Sequence, residues 1–203
     1  MQADSANIAP TVARHGLIPW RVVIRTLWPF ELSQFRRHLL RLDNPTRIER
    51  FGRGVGDEWL AAYAAETDWL RGAVLGCWID GTLRGVAELR RYGTGWSTTA
   101  EAALTVEPAF QHHGLGSILA RRLILLARNR GIATLHILFD AGNPRMRRIA
   151  ENHGARMVRF GDQIEAELSL APANAATITE EWVGQSLAVM REYALPMGLP
   201  GAA

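Results

Sequence analysis

The chain contains no lysine. All 23 of its basic residues are arginine, set against 20 acidic ones, for a formal charge of +3 and a pI near 9.7. Composition bias is the plain reading of that pattern. The arginines are spread along the chain and do not interleave with aromatics in one stripe, so the basic excess does not point to a nucleic-acid surface. Cysteine is nearly absent too. Cys77 stands alone, which excludes an internal disulfide. The C-x-x-C and H-E-x-x-H spacings are missing, so no metal is expected. No apolar run approaches the ~18 residues that a membrane span requires. Residues 1–19 lack the basic start and apolar stretch of a signal peptide, and read as a flexible leader. The compartment expected from these absences is the cytoplasm.

What is present fits an ordinary globular chain. Of its 203 residues, 48% are hydrophobic and 21% charged. That length supports one domain with a sizeable core. We place the domain at residues 20–195, with a short tail at 196–203. Residues 21–27 alternate with β-branched types and read as a first strand. Helical stretches follow at 30–42, at 45–50 behind the cap Asp43-Asn44-Pro45, and from the cap Asp57 to about residue 67. Segments 71–79 and 83–91 flank Asp80-Gly81, a two-residue hairpin signal. A strand at 100–106, a helix at 115–131 and an apolar strand at 133–139, read as buried, come next. A helix at 143–152, a hairpin over 156–170 and a helix at 179–193 complete the chain. The class is α/β, a mixed sheet with helices on both faces.

One stretch carries most of the functional signal. Gln111-His112-His113-Gly114-Leu115-Gly116 follows the strand ending at Val106 and opens the helix beginning at Leu115. Glycine at such a turn lets backbone N–H groups approach a ligand with no Cβ in the way. The unpaired N–H groups of the helix start, reinforced by the helix dipole, favour an anion there. The G-x-G-x-x-G and G-x-x-x-x-G-K-[ST] patterns are both absent.

Leu104-Thr105-Val106-Glu107-Pro108-x-x-Gln111-x-x-Gly114-x-Gly116 resembles the acetyl-coenzyme A motif of the GCN5-related N-acetyltransferase (GNAT) superfamily. Asn143-x-x-Met146-x-x-Ile149-Ala150-x-x-His153-Gly154-Ala155 resembles its second block. The two blocks lie in order, with a helix and a strand between them, and the resemblance spans roughly residues 22–170. It implies a GNAT-like fold whose central strands splay after Val106 to admit a pantetheine arm. A β-bulge in strand 101–106 would suit that splay. It further implies acetyl-CoA as co-substrate and an amine acceptor, either a protein lysine or a small molecule, attacking directly in a ternary complex. A basic excess suits an anionic coenzyme. An enzyme of this kind that modified lysine would have none of its own to modify. The alternative is a non-catalytic acyl-CoA-binding regulatory domain. A homodimer is left open.

The same resemblance distributes roles. Backbone groups around Leu104, Thr105 and Val106 would meet the acetyl and pantetheine groups. Gln111, His112, His113, Gly114, Leu115, Gly116 and Ser117 would hold the pyrophosphate. Asn143 and Met146 belong to the second block, with Asn143 either bonding the pantetheine or capping the helix that follows. An aqueous lysine amine titrates near 10.4, so only about one in 2,500 is neutral at pH 7. A positioned base is therefore needed. Glu101 is the candidate, flanked by Ala100 and Ala102 so that partial desolvation would raise its pKa, with Glu88 in reserve. Many relatives place a tyrosine acid four residues before the second-block glycine. Here that residue is Ala150. The departure, with Asn143-x-x-Met146 and the segment at 45–51, resembles the bacterial protein lysine acetyltransferase branch.

Overall fold

The computed structural model describes residues 20–193. The expected leader and tail lie outside the described residues. β1 (Val22–Thr26) is followed by three helices, α1 (Leu32–Leu40), α2 (Asn44–Phe51) and α3 (Asp57–Ala65). The strands β2 (Ala73–Ile79), β3 (Thr82–Arg91) and β4 (Thr99–Val106) come next. They lead into α4 (Leu115–Asn129), β5 (Thr134–Asp140) and α5 (Pro144–Asn152). β6 (Arg156–Phe160), β7 (Gln163–Ser169) and α6 (Ala175–Tyr193) close the fold.

The seven strands form one sheet in the order β1-β2-β3-β4-β5-β7-β6. Only the β4–β5 pairing is parallel. Alternation along the strands sorts the core into two layers. Leu75, Cys77, Ala87 and Leu89 face α4. Val23, Val74, Trp78 and Val86 face α1 and α3. α4 meets the sheet through Leu115, Leu119, Leu123 and Leu126, a three-to-four-residue spacing that puts all four on one stripe. α6 is tied to β1 by Arg25, which pairs with Glu31 at 2.7 Å and Glu192 at 2.5 Å.

Four details differ from expectation. The cap of α3 is Gly56, and Asp57 sits in the first turn, where its charge complements the helix dipole. α6 begins about one turn earlier than expected, at Ala175. β4 pairs with β3 in unbroken register, so the expected bulge is not there; the irregularity falls between Cys77 and Trp78, where β2 meets β3. β5 is buried on one face only. Leu135, Ile137 and Phe139 reach the α4-side core, whereas Leu138 is half exposed. The sequence run looked buried because it is apolar, but its second face stays partly open at Leu138.

Candidate active site

β4 and β5 are joined by three residue pairs, Thr99 with Thr134, Ala100 with Leu135 and Glu101 with His136. Beyond these the strands part. From Ala102 to Val106 the edge of β4 facing β5 has no strand partner, although its other edge stays paired with β3 throughout. Unpaired backbone N–H and C=O groups need partners. The result is a slot walled by two strand edges, open toward the C-terminal end of β4. A splay is thus present as the resemblance implied, but it starts after Glu101 and not after Val106, and it occurs without the bulge offered as its cause.

At the mouth of the slot the chain turns through residues 111–114 into α4. Gly114 is the helix cap, in the left-handed region at φ +79°. His112 also adopts φ +63°, a conformation that costs a non-glycine residue energy and collects at functional loops. A Cβ on Gly116 would lie 3.7 Å from Ile149 Cδ1, an ordinary contact. Internal packing therefore does not demand glycine at 116, and the missing side chain leaves the approach to the helix start clear. Gln111 donates from Nε2 to the Val106 carbonyl at 2.9 Å, fastening the loop to the end of β4. The His113 ring packs edge-on against Trp20 at 4.8 Å, with its buried Nδ1 unpartnered among the described residues. His112 and Ser117 are exposed. Leu115 is wholly buried core, so only its backbone faces the loop.

The second block stands beside this loop. Asn143 caps α5, its Oδ1 accepting from the Met146 N–H at 3.1 Å, while its Nδ2 donates to Glu49 at 3.3 Å. Of its two expected roles, the capping one is present. The Met146 side chain packs against the α4-side core. Arg145 donates to both Glu49 oxygens at 3.0 Å and also to Gln111. Sequence reasoning passed over Arg145. It links α2, α5 and the loop, and sets a guanidinium beside the anion cradle. Ala150 lies in the core with no exposure.

The face of the sheet opposite α4 holds the titratable groups. Glu101 is half-buried, and among the described residues nothing bonds its carboxylate. Glu88, the reserve base, differs sharply. It is buried and bonded by Arg50 at 2.9 Å, Tyr63 at 2.9 Å and Arg90 at 2.9 Å. Burial by itself would raise its pKa, but Arg50 and Arg90 outweigh it and hold the carboxyl below the usual range. A carboxylate so engaged is a poor proton acceptor, so Glu88 does not serve as the reserve base expected from the sequence. The same network pushes Tyr63 above its ordinary value, through burial and then the Glu88 charge.

Thr105 is also engaged elsewhere. Its hydroxyl meets His38 Nε2 at 2.9 Å, and His38 Nδ1 meets Glu107 at 3.2 Å. A carboxylate can only accept, so Nδ1 carries the proton and Nε2 accepts from Thr105. Burial keeps His38 neutral by lowering its pKa. Burial opposes the charge on Glu107, but hydrogen bonds from His38, Arg41 and Arg84 hold that carboxyl at about 2. This knot pins α1 to the end of β4, and it turns the Thr105 side chain away from any ligand. Any contact from Thr105 would therefore come from its backbone.

α2 is fixed above the slot by its own arginines. Arg47 donates to the carbonyls of Leu42 at 2.9 Å, Val55 at 3.1 Å and Leu40 at 3.0 Å. The segment at 45–51 thus has a structural role. Trp78 is core, its Nε1 donating to Gln34, and Trp59 stacks on Tyr63. Cys77 is core as well, its thiol pushed up to about 12 by burial. A cavity of about 600 Å³ lies away from the slot, between α4 and α6, and includes none of the residues expected at the site. Among the described residues no cluster of metal-ligating side chains occurs, and no helix is long and apolar enough to cross a membrane.

Comparison with known proteins places these features in context. A family model described as the acetyltransferase (GNAT) family matches residues 36–155. Among solved structures, the GNAT domain of PAT from S. lividans is 19% identical, covering 72% of this chain and 89% of its own, with a TM-score of 0.62. The structure of yncA from Salmonella typhimurium with its cofactor acetyl-CoA is 21% identical, covering 76% and 97%, at 0.59. Ribosomal-protein-alanine N-acetyltransferase from Brucella melitensis is 19% identical, covering 73% and 99%, at 0.59. At these identities the likeness is one of fold. A search of curated proteins finds no match.

Proposed function

Because the chain belongs to the acetyltransferase (GNAT) family, we propose that it moves an acetyl group from acetyl-CoA to a primary amine by direct attack in a ternary complex. One observation carries this reading: a strand pair that parts after three rungs, with a glycine-bearing helix start at the mouth of the gap. The residues fit such a co-substrate. The bare β4 edge offers backbone partners to an amide-bearing arm, and the Gln111–Ser117 backbone, beside Arg145, suits a pyrophosphate. Acetyl-CoA supplies an activated carbonyl and a leaving thiol whose pKa of about 8.5 lets it depart without a dedicated acid. Glu101 is the base in this reading. It stands at the last β4–β5 pair, on the face that leaves room for an acceptor.

The acceptor is a protein lysine or a small amine. Ala150 and the Asn143-x-x-Met146 block favour the bacterial protein lysine acetyltransferase branch. The yncA structure with acetyl-CoA lends the co-substrate weight through shared fold. A single catalytic domain over residues 20–195, working in the cytoplasm, is part of the same proposal.

Calorimetric titration with acetyl-CoA, with coenzyme A alongside, tests the cradle. Micromolar binding followed by thiol release over a panel of lysine peptides and small amines supports the proposal. Binding without release from any amine would favour a regulatory binder instead. No binding of either form removes both readings.

A further inference from the structure

Where β4 and β5 part, one side chain beside Glu101 is unassigned. His136 is the parallel-register partner of Glu101, at the last rung before the slot opens. Neighbouring strands lie about 4.8 Å apart, and paired residues project to the same face. The imidazole and the candidate base therefore stand side by side at the apex. His136 Nδ1 lies 2.8 Å from Glu165 Oε1 on β7, and the imidazole is 18% exposed. The carboxylate can only accept, so Nδ1 bears the proton. In the neutral ring Nε2 is then a bare acceptor, and among the described residues nothing bonds it. The Tyr92 ring backs the imidazole at 5.6 Å. Burial, then the nearby Glu101 and Glu165 charges, raises the Tyr92 phenol pKa.

The chemistry leaves an opening for a second proton acceptor. An amine arriving protonated must lose one proton before it attacks and another once the N–C bond has formed. One carboxylate must otherwise unload between the two events. We propose that the His136–Glu165 pair is the second proton acceptor of the acetyl-transfer site, with Glu165 orienting the ring so that Nε2 receives the proton. The proposal rests on the acetyltransferase reading above. Glu101 takes the first proton and keeps it through the transfer, passing it to solvent only afterwards. The amine lone pair then forms the N–C bond. The C–S bond breaks with its electron pair remaining on sulfur, and the second proton moves from nitrogen to His136 Nε2. That proton goes on to the departing sulfur through solvent. The sum is amide, free thiol and one released proton for each ammonium consumed.

Two measurements test this. Imidazole nitrogen NMR of the wild-type chain reads the tautomer without turnover. The proton is expected on Nδ1 of His136, with that preference weakened in Glu165→Gln. A proton on Nε2 overturns the proposal. Kinetics then use whichever panel amine turns over fastest. His136→Gln is expected to lower kcat about 100-fold, in the range of general acid–base effects, with acetyl-CoA affinity unchanged as the control for folding. Glu165→Gln should lower kcat about 10-fold or less. His136→Ala should regain turnover when imidazole is added, which a cross-strand strut would not do. Full turnover in His136→Gln, or no rescue in His136→Ala, overturns the proposal and leaves the acetyltransferase reading standing. Failure of the wild-type chain to bind acetyl-CoA or to release thiol removes both.

Discussion

The two halves of the sheet are built to different rules. From β1 to β3 both faces are covered, one by α4 and the other by α1 and α3. In that half a charged side chain is buried only with its partners, as Glu88 is with Arg50, Tyr63 and Arg90. From β5 to β6 the buried side chains face α4, and among the described residues Leu138, Val158 and Phe160 stand exposed on the other face. At the β4–β5 border between the halves, Glu101 and His136 keep atoms free. Glu88 and Glu101 lie on adjacent strands and on the same face, yet one is fully engaged and one is available. A carboxylate's chemical role here follows from whether a helix lies over it.

The largest expected effect breaks the covered half. Glu88→Ala leaves the buried Arg50 guanidinium without its counter-charge, and should destabilise the fold by about 3–5 kcal/mol in urea unfolding. Glu101→Gln is the opposite experiment. It should lower kcat more than about 10-fold, equivalent to about 1.4 kcal/mol, while moving the urea midpoint little and acetyl-CoA affinity not at all. Wild-type turnover in that variant would take Glu101 out of the mechanism.

Smaller effects sharpen the contrast at the loop. Gly114→Ala forces a side chain into the left-handed region, with an expected loss of about 1–2 kcal/mol in stability. Gly116→Ala meets only an ordinary contact, and should hold or slightly raise the melting temperature. Its calorimetric affinity for acetyl-CoA should nonetheless fall about 10-fold. Equal affinity would mean that no ligand approaches that helix start. Asn143→Ala removes a cap, and should cost about 1 kcal/mol with kcat little changed if capping is its main role.

The sequence told more about connectivity than about company. Gln111 to Gly116 could be placed on a strand-to-helix turn because glycine spacing and apolar period are local signals. Asn143 followed by Pro144 read as a cap for the same reason. His136 did not stand out, since its importance comes from a parallel register with Glu101, thirty-five positions away, and no local pattern encodes which rung is last. Glu88 looked available because Arg50 reaches it from α2. Leu138 looked buried because hydropathy cannot say whether a helix will arrive to cover it. Arg145 was one arginine among many until folding set it beside Gln111 and Glu49.

The three-rung junction between β4 and β5 has a mechanical side. The sheet has a partly unstitched seam, and a molecule lying in it would border both halves. Such a guest would complete the seam as a strand does, resisting separation of the halves and raising the melting temperature with its concentration. Releasing the spent guest would then mean reopening the seam. The tightness of the fold and the speed of turnover would thus pull against each other at one place in the molecule.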